Sequence, residues 1–281
     1  MASMQLREAL RVAIDFLAAN HIGSPRMNAE VLLMHALACD RAYLYAHSDR
    51  EITPDEQARY EAVLAERARG RPSQYITGHQ EFWGLDFIVS PAVLIPRPET
   101  EHVVETVLEL ARSVERPRIV DVGTGSGCIA LALAMELPAA EIVAVDISPE
   151  ALEIARANAV RLELDRRVEF QQRDLLQGFP PASFDFVVSN PPYVAEAEPD
   201  KVQREVREFE PRVAVFAGES GMEAYRLLMP QAHTVLRPGG WLVVEIGFSI
   251  ETAVRDLLRD WDEVLVAADL QGIPRVIAAK K

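Results

Sequence analysis

Only two of the 281 residues are cysteine, Cys39 and Cys128, and no Cys-x-x-Cys spacing is present. A disulfide framework and a cysteine-built zinc site are thereby excluded as organising features. The six histidines (21, 35, 47, 79, 102 and 233) include no pair at helical ligand spacing, so no metal site is expected. Long apolar runs are missing as well. No stretch approaches the roughly 18–20 residues that a bilayer span requires, and Met1 to Arg11 carries no secretory pattern, which points to a cytoplasmic protein without a membrane partner. Positive charge is scarce: 29 basic residues face 43 acidic ones, for a net charge of −14. Residues 1–85 hold 9 basic and 11 acidic side chains, leaving 20 and 32 for the remainder, so the acidity lies mostly in the C-terminal part. No basic surface of the kind that neutralises phosphates is foreseen, and with it no nucleic-acid partner.

What is present is an ordinary globular composition, 49% hydrophobic and 26% charged, on a chain long enough for one large or two ordinary domains. Met4–Leu17 and Asn28–Leu37 carry apolar residues at helical spacing, separated by a break at His21–Pro25. Thr53-Pro-Asp-Glu56 has the cap, proline and acids of a helix start, and that helix runs toward Arg69. The arginines at 59, 67, 69 and 71 read as its solvated face. Residues 1–73 are thus expected to form a small helical domain. From Gln74 the aromatic and β-branched residues with glycine punctuation predict a β-hairpin linker over 74–95, followed by the proline-stiffened Val93–Glu101 and a helix over Glu99–Ala111.

From Arg118 onward strands and helices alternate. Strands are expected at 118–122, 141–147, 168–172, 184–190, 240–246, 262–268 and 274–279, and helices at 127–136, 149–163, 220–236 and 249–260. This predicts an α/β domain over 96–281 with a doubly wound, mostly parallel sheet. Ala195–Glu210 is its longest polar insertion. The apolar run Phe184–Val188 stops at Asn190-Pro191-Pro192-Tyr193, because the prolines cannot continue a ladder, and ligands bind at such carboxyl ends of strands. The corner offers fixed carbonyl acceptors and the Asn190 amide oxygen, a pair able to grip one NH2 group, while Tyr193 offers a flat face; an asparagine before proline also opens ordinary turns. The first strand feeds Asp121-Val-Gly123-Thr124-Gly125-Ser126-Gly127, a turn whose glycines allow close approach of a ligand to the free N–H groups of a helix start. Asp146 ends the next strand, where a carboxylate accepts from both hydroxyls of a ribose; its competing role, capping the helix at Pro149, is better served by Ser148. Asp174 ends the third strand, beside an adenine or as a turn cap.

The glycine spacing, with Asp121 before it, resembles motif I of class I (Rossmann-like) methyltransferases rather than the spacing of dinucleotide folds. With Asn190–Tyr193, Tyr75-Ile-x-Gly78, Phe82-x-Gly84-x-x-Phe87, Val93-Leu-Ile-Pro-Arg-Pro-Glu-Thr-Glu101 and Glu210-Pro-Arg-Val-Ala-Val215, nearly the whole chain resembles the PrmC/HemK family. Its members methylate the glutamine side-chain amide in the Gly-Gly-Gln motif of peptide-chain release factors. Val215 stands where the family usually has leucine. The resemblance implies a helical bundle that recognises substrate, a hairpin linker and a seven-stranded methyltransferase domain. It implies S-adenosylmethionine held by Gly123, Thr124, Gly125, Ser126, Gly127, Asp146, Asp174, Leu175 and Asn190, with leucine at a position that is aromatic in some relatives. It assigns the substrate glutamine to Asn190, Pro191, Pro192 and Tyr193, and release factors as partners. The rival readings are a nucleic-acid amino methyltransferase, a non-catalytic cofactor-binding adaptor and, least favoured by glycine spacing, a nicotinamide oxidoreductase.

Overall fold

The computed structural model describes residues 4–281, which separate into two units, one ending at Gly78 and the other running from His79 to Lys281. In the first unit, apolar residues at helical spacing fold inward. Helix α1 (Leu6–Ala19) buries Leu6, Ala9, Ala13 and Leu17, and α2 (Pro25–Leu37) buries Ala29, Leu32, Leu33 and Ala36. These meet Leu44 of α3 (Arg41–Ala46) and Tyr60 and Leu64 of α4 (Pro54–Ala68) in one core. Pro25 takes the first helical position of α2, so that helix starts three residues before the expected Asn28. At the start of α4, Thr53 Oγ1 accepts from the Glu56 N–H at 3.3 Å while the Glu56 carboxylate accepts from the Thr53 N–H at 2.9 Å. Arg50 donates to the same carboxylate at 2.8 Å and, with the Thr53 bonds, holds it down to about 2.

Two sequence readings of this unit are corrected. Arg67 is not on a solvated face: it is 4% exposed, donates to Asn28 Oδ1 at 2.7 Å and to the Arg71 carbonyl at 3.1 Å, because it follows Tyr60 and Leu64 on the buried side of α4. The hairpin does not begin at Gln74. Ser73–Thr77 forms a short helix, α5, which Gly78 ends in the left-handed conformation at φ +80°.

The hairpin itself opens the second unit as β1 (His79–Phe82) and β2 (Leu85–Ile88). Trp83 and Gly84 both have positive φ, +56° and +68°, the backbone that a two-residue turn needs to match strand twist. The cost of that conformation at Trp83 is offset by two bonds, its N–H to Glu101 at 2.8 Å and its indole N–H to Glu136 at 2.9 Å. A 3-10 turn at Pro98–Thr100 leads into α6 (Glu101–Leu110). The chain then alternates through β3 (Arg118–Val122), α7 (Cys128–Glu136), β4 (Glu141–Asp146), α8 (Pro149–Arg161), β5 (Val168–Gln172) and β6 (Phe184–Ser189). The insertion after β6 is not plain loop: it carries α9 (Arg204–Phe209) and α10 (Arg212–Val215). Helix α11 (Glu223–Val235), β7 (Leu236–Glu245), α12 (Glu251–Leu257), β8 (Glu263–Ala268) and β9 (Pro274–Lys280) complete the unit.

The seven strands lie in the order β5-β4-β3-β6-β7-β9-β8, with β9 antiparallel to both its neighbours and the rest parallel. Apolar clusters form on both faces of this sheet, one built on α6 and α7 and the other on α11 and α12. Strand β7 starts four residues before the expected 240; Pro238 and two glycines read as a turn, yet they sit where the β6–β7 register shifts, and such irregularities tolerate proline. No helix among the described residues is long and apolar enough to cross a membrane. Because β3, β4 and β5 run outward one way and β6 and β7 the other, the order reverses between β3 and β6, the crevice where open α/β sheets bind ligands.

Candidate active site

Strands β3 and β6 are parallel neighbours, with Val122 opposite Ser189, so the glycine turn and Asn190 leave the sheet side by side. Ser189 Oγ donates to the Val122 carbonyl at 2.7 Å and ties the two ends together. Across the sheet edge the order is therefore Asp174 after β5, Asp146 at the end of β4, the glycine turn after β3, and Asn190 after β6. Asp146 and Asn190 are two strand spacings apart, roughly 10 Å. A cavity of about 280 Å³ lies over this edge, and Gly123, Thr124, Gly125, Ser126, Asp146, Asp174, Leu175, Asn190, Pro191 and Pro192 all line it.

Four of the five N–H groups over Gly123–Gly127 are taken up within the protein. The N–H groups of Gly123 and Thr124 both donate to the Val145 carbonyl, at 2.9 and 3.0 Å, Gly127 donates to Thr124 at 2.8 Å, and Gly125 donates to Asp146 Oδ2 at 2.9 Å. These bonds fix the shape of the turn, and the left-handed φ values of Gly123 and Gly125, +71° and +55°, are what let it close. Gly127 does not line the cavity. It caps α7, and a Cβ there would lie 3.2 Å from Leu131 and 3.3 Å from Ala155. Its part in the site is to let α8 pack closely against the turn.

Asp146 has one protein hydrogen bond at each oxygen, from Gly125 and from the Ser148 N–H at 2.9 Å, which leaves lone pairs on both for the two hydroxyls of a ribose. Burial raises its pKa, and the backbone donors oppose that shift. Ser148 does cap α8, accepting from the Ala151 N–H at 3.1 Å. Asp174 is exposed, accepts from Gln177 Nε2 at 3.0 Å and so caps a turn while also bordering the cavity. Leu175 has φ +52°, a rare backbone for a branched residue, and its half-buried side chain adds an apolar wall without an aromatic face. Asp121 is buried beneath the turn: its Oδ2 accepts from Thr124 Oγ1 at 2.6 Å, its Oδ1 has no hydrogen-bond partner, and burial pushes the carboxyl up to about 7 despite the Thr124 bond.

At the β6 end, the Asn190 Nδ2 donates to Thr100 Oγ1 at 3.1 Å, and Thr100 in turn donates to Glu245 Oε2 at 2.5 Å. Tyr193, expected to offer its ring to a planar group, does not line the cavity. The ring packs against Gly247, where a Cβ would lie 2.8 Å from Cδ2, and burial with the nearby Glu245 pushes the phenol up to about 12. Past it, Val194 pairs with Phe216 in a parallel bridge that closes the base of the insertion. Among the described residues, no group of three or more His, Cys, Asp or Glu is placed to hold a metal ion.

Several residues of this site were given no role by the sequence. Thr100 and Glu245 are one pair. Arg97 is another: it borders the cavity and donates to the buried Glu210 at 2.5 Å, and Glu210 also accepts from the Ile95 N–H at 3.2 Å, joining two motifs that are 113 residues apart. Asn158 on α8 is the third. Fully buried, it pairs its amide with the N–H and C=O of Ile88, at 2.6 and 3.0 Å, and donates to the Ser126 carbonyl at 2.9 Å.

The donor set fits S-adenosylmethionine. The Asp146 carboxylate with lone pairs free for ribose hydroxyls, a second acid at Asp174 and the apolar walls of Ile147 and Leu175 all face one cavity, and Ser126 Oγ is a buried polar atom with no protein partner. Known proteins agree. Residues 8–78 match the PrmC N-terminal domain and residues 114–269 a methyltransferase domain. The release factor glutamine methyltransferase of Koribacter versatilis is 57% identical over 279 residues, covering 99% of both chains. That of Moorella thermoacetica is 48% identical over 91% of this chain and 90% of its own. Among solved structures, the catalytic domain of hMettl16 bound to a MAT2A 3'UTR hairpin superposes with a TM-score of 0.58 at 19% identity, over 74% of this chain and 79% of that one, a likeness of fold. The chain belongs to the PrmC/HemK family of release factor glutamine methyltransferases and is an S-adenosylmethionine-dependent enzyme of the class I methyltransferase fold.

Proposed function

We propose that this chain methylates the side-chain amide nitrogen of the glutamine in the Gly-Gly-Gln motif of peptide-chain release factors, in the cytoplasm. The observation that carries the reading is the placement of Asn190 and Pro191 just past the end of β6, the strand next to the one that feeds the glycine turn, within one cavity. The names of relatives that align along the whole chain support the substrate.

An amide nitrogen is a poor nucleophile because its lone pair is delocalised into the carbonyl. The bound sulfonium supplies an electrophilic methyl group. Asn190 Oδ1 and the Pro191 carbonyl accept the two N–H bonds of the substrate amide, which favours lone-pair density on nitrogen as it attacks. Proline at 191 and 192 locks φ, so the acceptors need little reorganisation. Asn190 has no basicity to offer; the N-methylated amide cation is acidic enough to release its proton to water. Catalysis would then rest on Asn190 and Pro191 orienting the substrate nitrogen toward the methyl donor that the glycine turn and Asp146 would hold, and on hydrogen bonds that strengthen as charge develops.

Intact-mass measurement of a purified release factor after incubation with enzyme and cofactor tests this reading. A gain of one methyl that maps to the Gly-Gly-Gln glutamine is expected, and no gain would refute it. The proposed role of the helical unit ending at Gly78 is to recognise the protein substrate. A chain starting at His79 should bind cofactor but lose kcat/KM on a folded release factor; equal kcat/KM would rule that role out.

A further inference from the structure

We infer that Thr100 and Glu245 are positioning residues that decide which end of the Asn190 amide faces the cavity, so that Asn190 presents its acceptor oxygen only while Glu245 is ionised. This rests on the role given to Asn190 above.

Thr100 is 2% exposed and Glu245 3% exposed, so each depends mainly on the protein for its hydrogen bonds. A threonine hydroxyl has a single hydrogen, and an ionised carboxylate only accepts. At 2.5 Å from Glu245 Oε2, the Thr100 hydrogen is committed to the carboxylate. What remains on Thr100 Oγ1 is acceptor capacity, which Asn190 meets with Nδ2 at 3.1 Å. The amide is thereby fixed with its NH2 inward, and its oxygen is the end left for the cavity that Asn190 and Thr100 both line. A glutamine substrate brings an NH2 group, so only this orientation offers it an acceptor.

Protonation of Glu245 reverses the chain. The carboxylic acid becomes a donor to Thr100, and the threonine hydrogen is released to point at Asn190. Keeping the amide as it was would leave that hydrogen unpaired in a buried site; turning the amide about Cβ–Cγ pairs it with Oδ1 and puts NH2 toward the cavity. There it faces the substrate's own NH2, donor against donor. Only one proton is gained, and no covalent bond other than the new O–H changes. The midpoint falls in a usable range: burial pushes the Glu245 carboxyl up to about 7, against the Thr100 hydrogen bond. The charges around it are Glu99, which raises it further, and Arg275 and Arg97, which lower it. The remaining titratable groups that feel it are Tyr193, Tyr225 and Cys128, all pushed upward by burial and so neutral across this range.

The test uses the full-length chain as wild type, T100V, T100S and E245Q, with two readouts. The first needs no substrate: the side-chain amide resonances of Asn190 in 15N-labelled protein, followed over about pH 5.5 to 8.5. They are expected to shift with a single midpoint in wild type and T100S, and to stay fixed in E245Q and T100V. The second is single-turnover methyl transfer to a release factor at saturating cofactor. The wild-type rate constant should fall about tenfold per pH unit below the midpoint, E245Q should be slower but flat, and T100V should lose roughly 10- to 100-fold in rate with KM within a few-fold, restored in large part by T100S. An Asn190 resonance that does not titrate in wild type, or a rate step that persists in E245Q, overturns the inference. If T100V or E245Q fails to fold, the wild-type and T100S titrations decide it alone. A resonance that titrates as expected while no methyl reaches the release factor would leave the positioning pair standing and refute the proposed substrate.

Discussion

Replacing Asn158 with leucine keeps the number and branching of the side-chain heavy atoms and removes every polar contact it makes. Across the two-residue turn, Phe82 pairs with Leu85 and the pairs alternate back to His79 with Ile88, so the polar groups of Ile88 point away from β1. The Asn158 amide meets them as a further strand would, accepting from the N–H at 2.6 Å and donating to the C=O at 3.0 Å, and its second N–H reaches the Ser126 carbonyl at 2.9 Å. With leucine, one donor and two acceptors lose this partner in a site where residue 158 is fully buried. At about 1–3 kcal/mol for each stranded group, and with carbonyls at the low end, Asn158→Leu should cost about 3–6 kcal/mol. In a unit of roughly 200 residues this corresponds to a fall in Tm of about 6–24 °C. Cofactor affinity should weaken about tenfold besides, because the glycine turn loses its tie to α8. Asn158→Asp should be worse than leucine above the carboxylate range, since it keeps the acceptor for the Ile88 N–H and sets charge against two carbonyls. Thermal denaturation with and without S-adenosylmethionine, together with calorimetric titration, checks both numbers. A Tm within about 2 °C of wild type with unchanged affinity would refute the assignment of Asn158 as the joint between hairpin and cofactor turn.

Three further outcomes are expected. Asp146→Ala should weaken cofactor binding by roughly 10- to 150-fold, the loss of about 1.5–3 kcal/mol for hydrogen bonds to a charged acceptor; calorimetry showing wild-type affinity in a folded variant would remove Asp146 from the site. Asn190→Ala should leave cofactor affinity within a few-fold and cut single-turnover methyl transfer by about 10² to 10³, and equal rates would return Asn190 to the status of a turn residue. Asp121 and Glu245, both pushed up to about 7 by burial, are raised above their unfolded values, so their contribution to stability is complete below the ordinary carboxylate range and is lost as pH rises through 7. Cofactor-free protein should therefore melt lower at pH 8 than at pH 6, and Asp121→Asn should lessen the difference; a flat or rising profile would contradict it.

Much of the fold was legible because it is written locally. Apolar periodicity located the seven sheet strands and helices α6, α7, α8, α11 and α12 within a few residues but not α9 and α10 of the polar insertion, and the misplacements occurred where local chemistry was ambiguous, as at Pro238-Gly-Gly, a turn composition placed in an irregular stretch of β7. Asp146 and the glycine turn were visible for the same reason, since a strand end followed by a helix start is a local event. What was not legible is the polar wiring between distant segments. Thr100 and Glu245 are separated by 145 residues, Ile88 and Asn158 by 70, and a threonine or asparagine inside a motif or on a helix reads the same whether it is exposed or paired in the core. Tyr193 was missed in the opposite sense: its place beside Asn190 suggests a role in the cavity, and only Gly247 shows why the ring turns away.

The closed base of the insertion separates what the chain can vary from what it must keep. Val194 donates to the Val215 carbonyl at 3.1 Å and accepts from the Ala217 N–H at 2.9 Å, and Gly221 leaves no room for a side chain against the Tyr193 carbonyl. The chain thus returns to within one hydrogen bond of where it left, and Glu210 is tied separately to Arg97. Residues between these ties, about 197 to 209, form a cassette whose ends are held regardless of its contents. Doubling the length of such a loop costs only about 0.6 kcal/mol in closure entropy. The ties therefore let the contents and length of this segment change while Asn190 stays where β6 puts it.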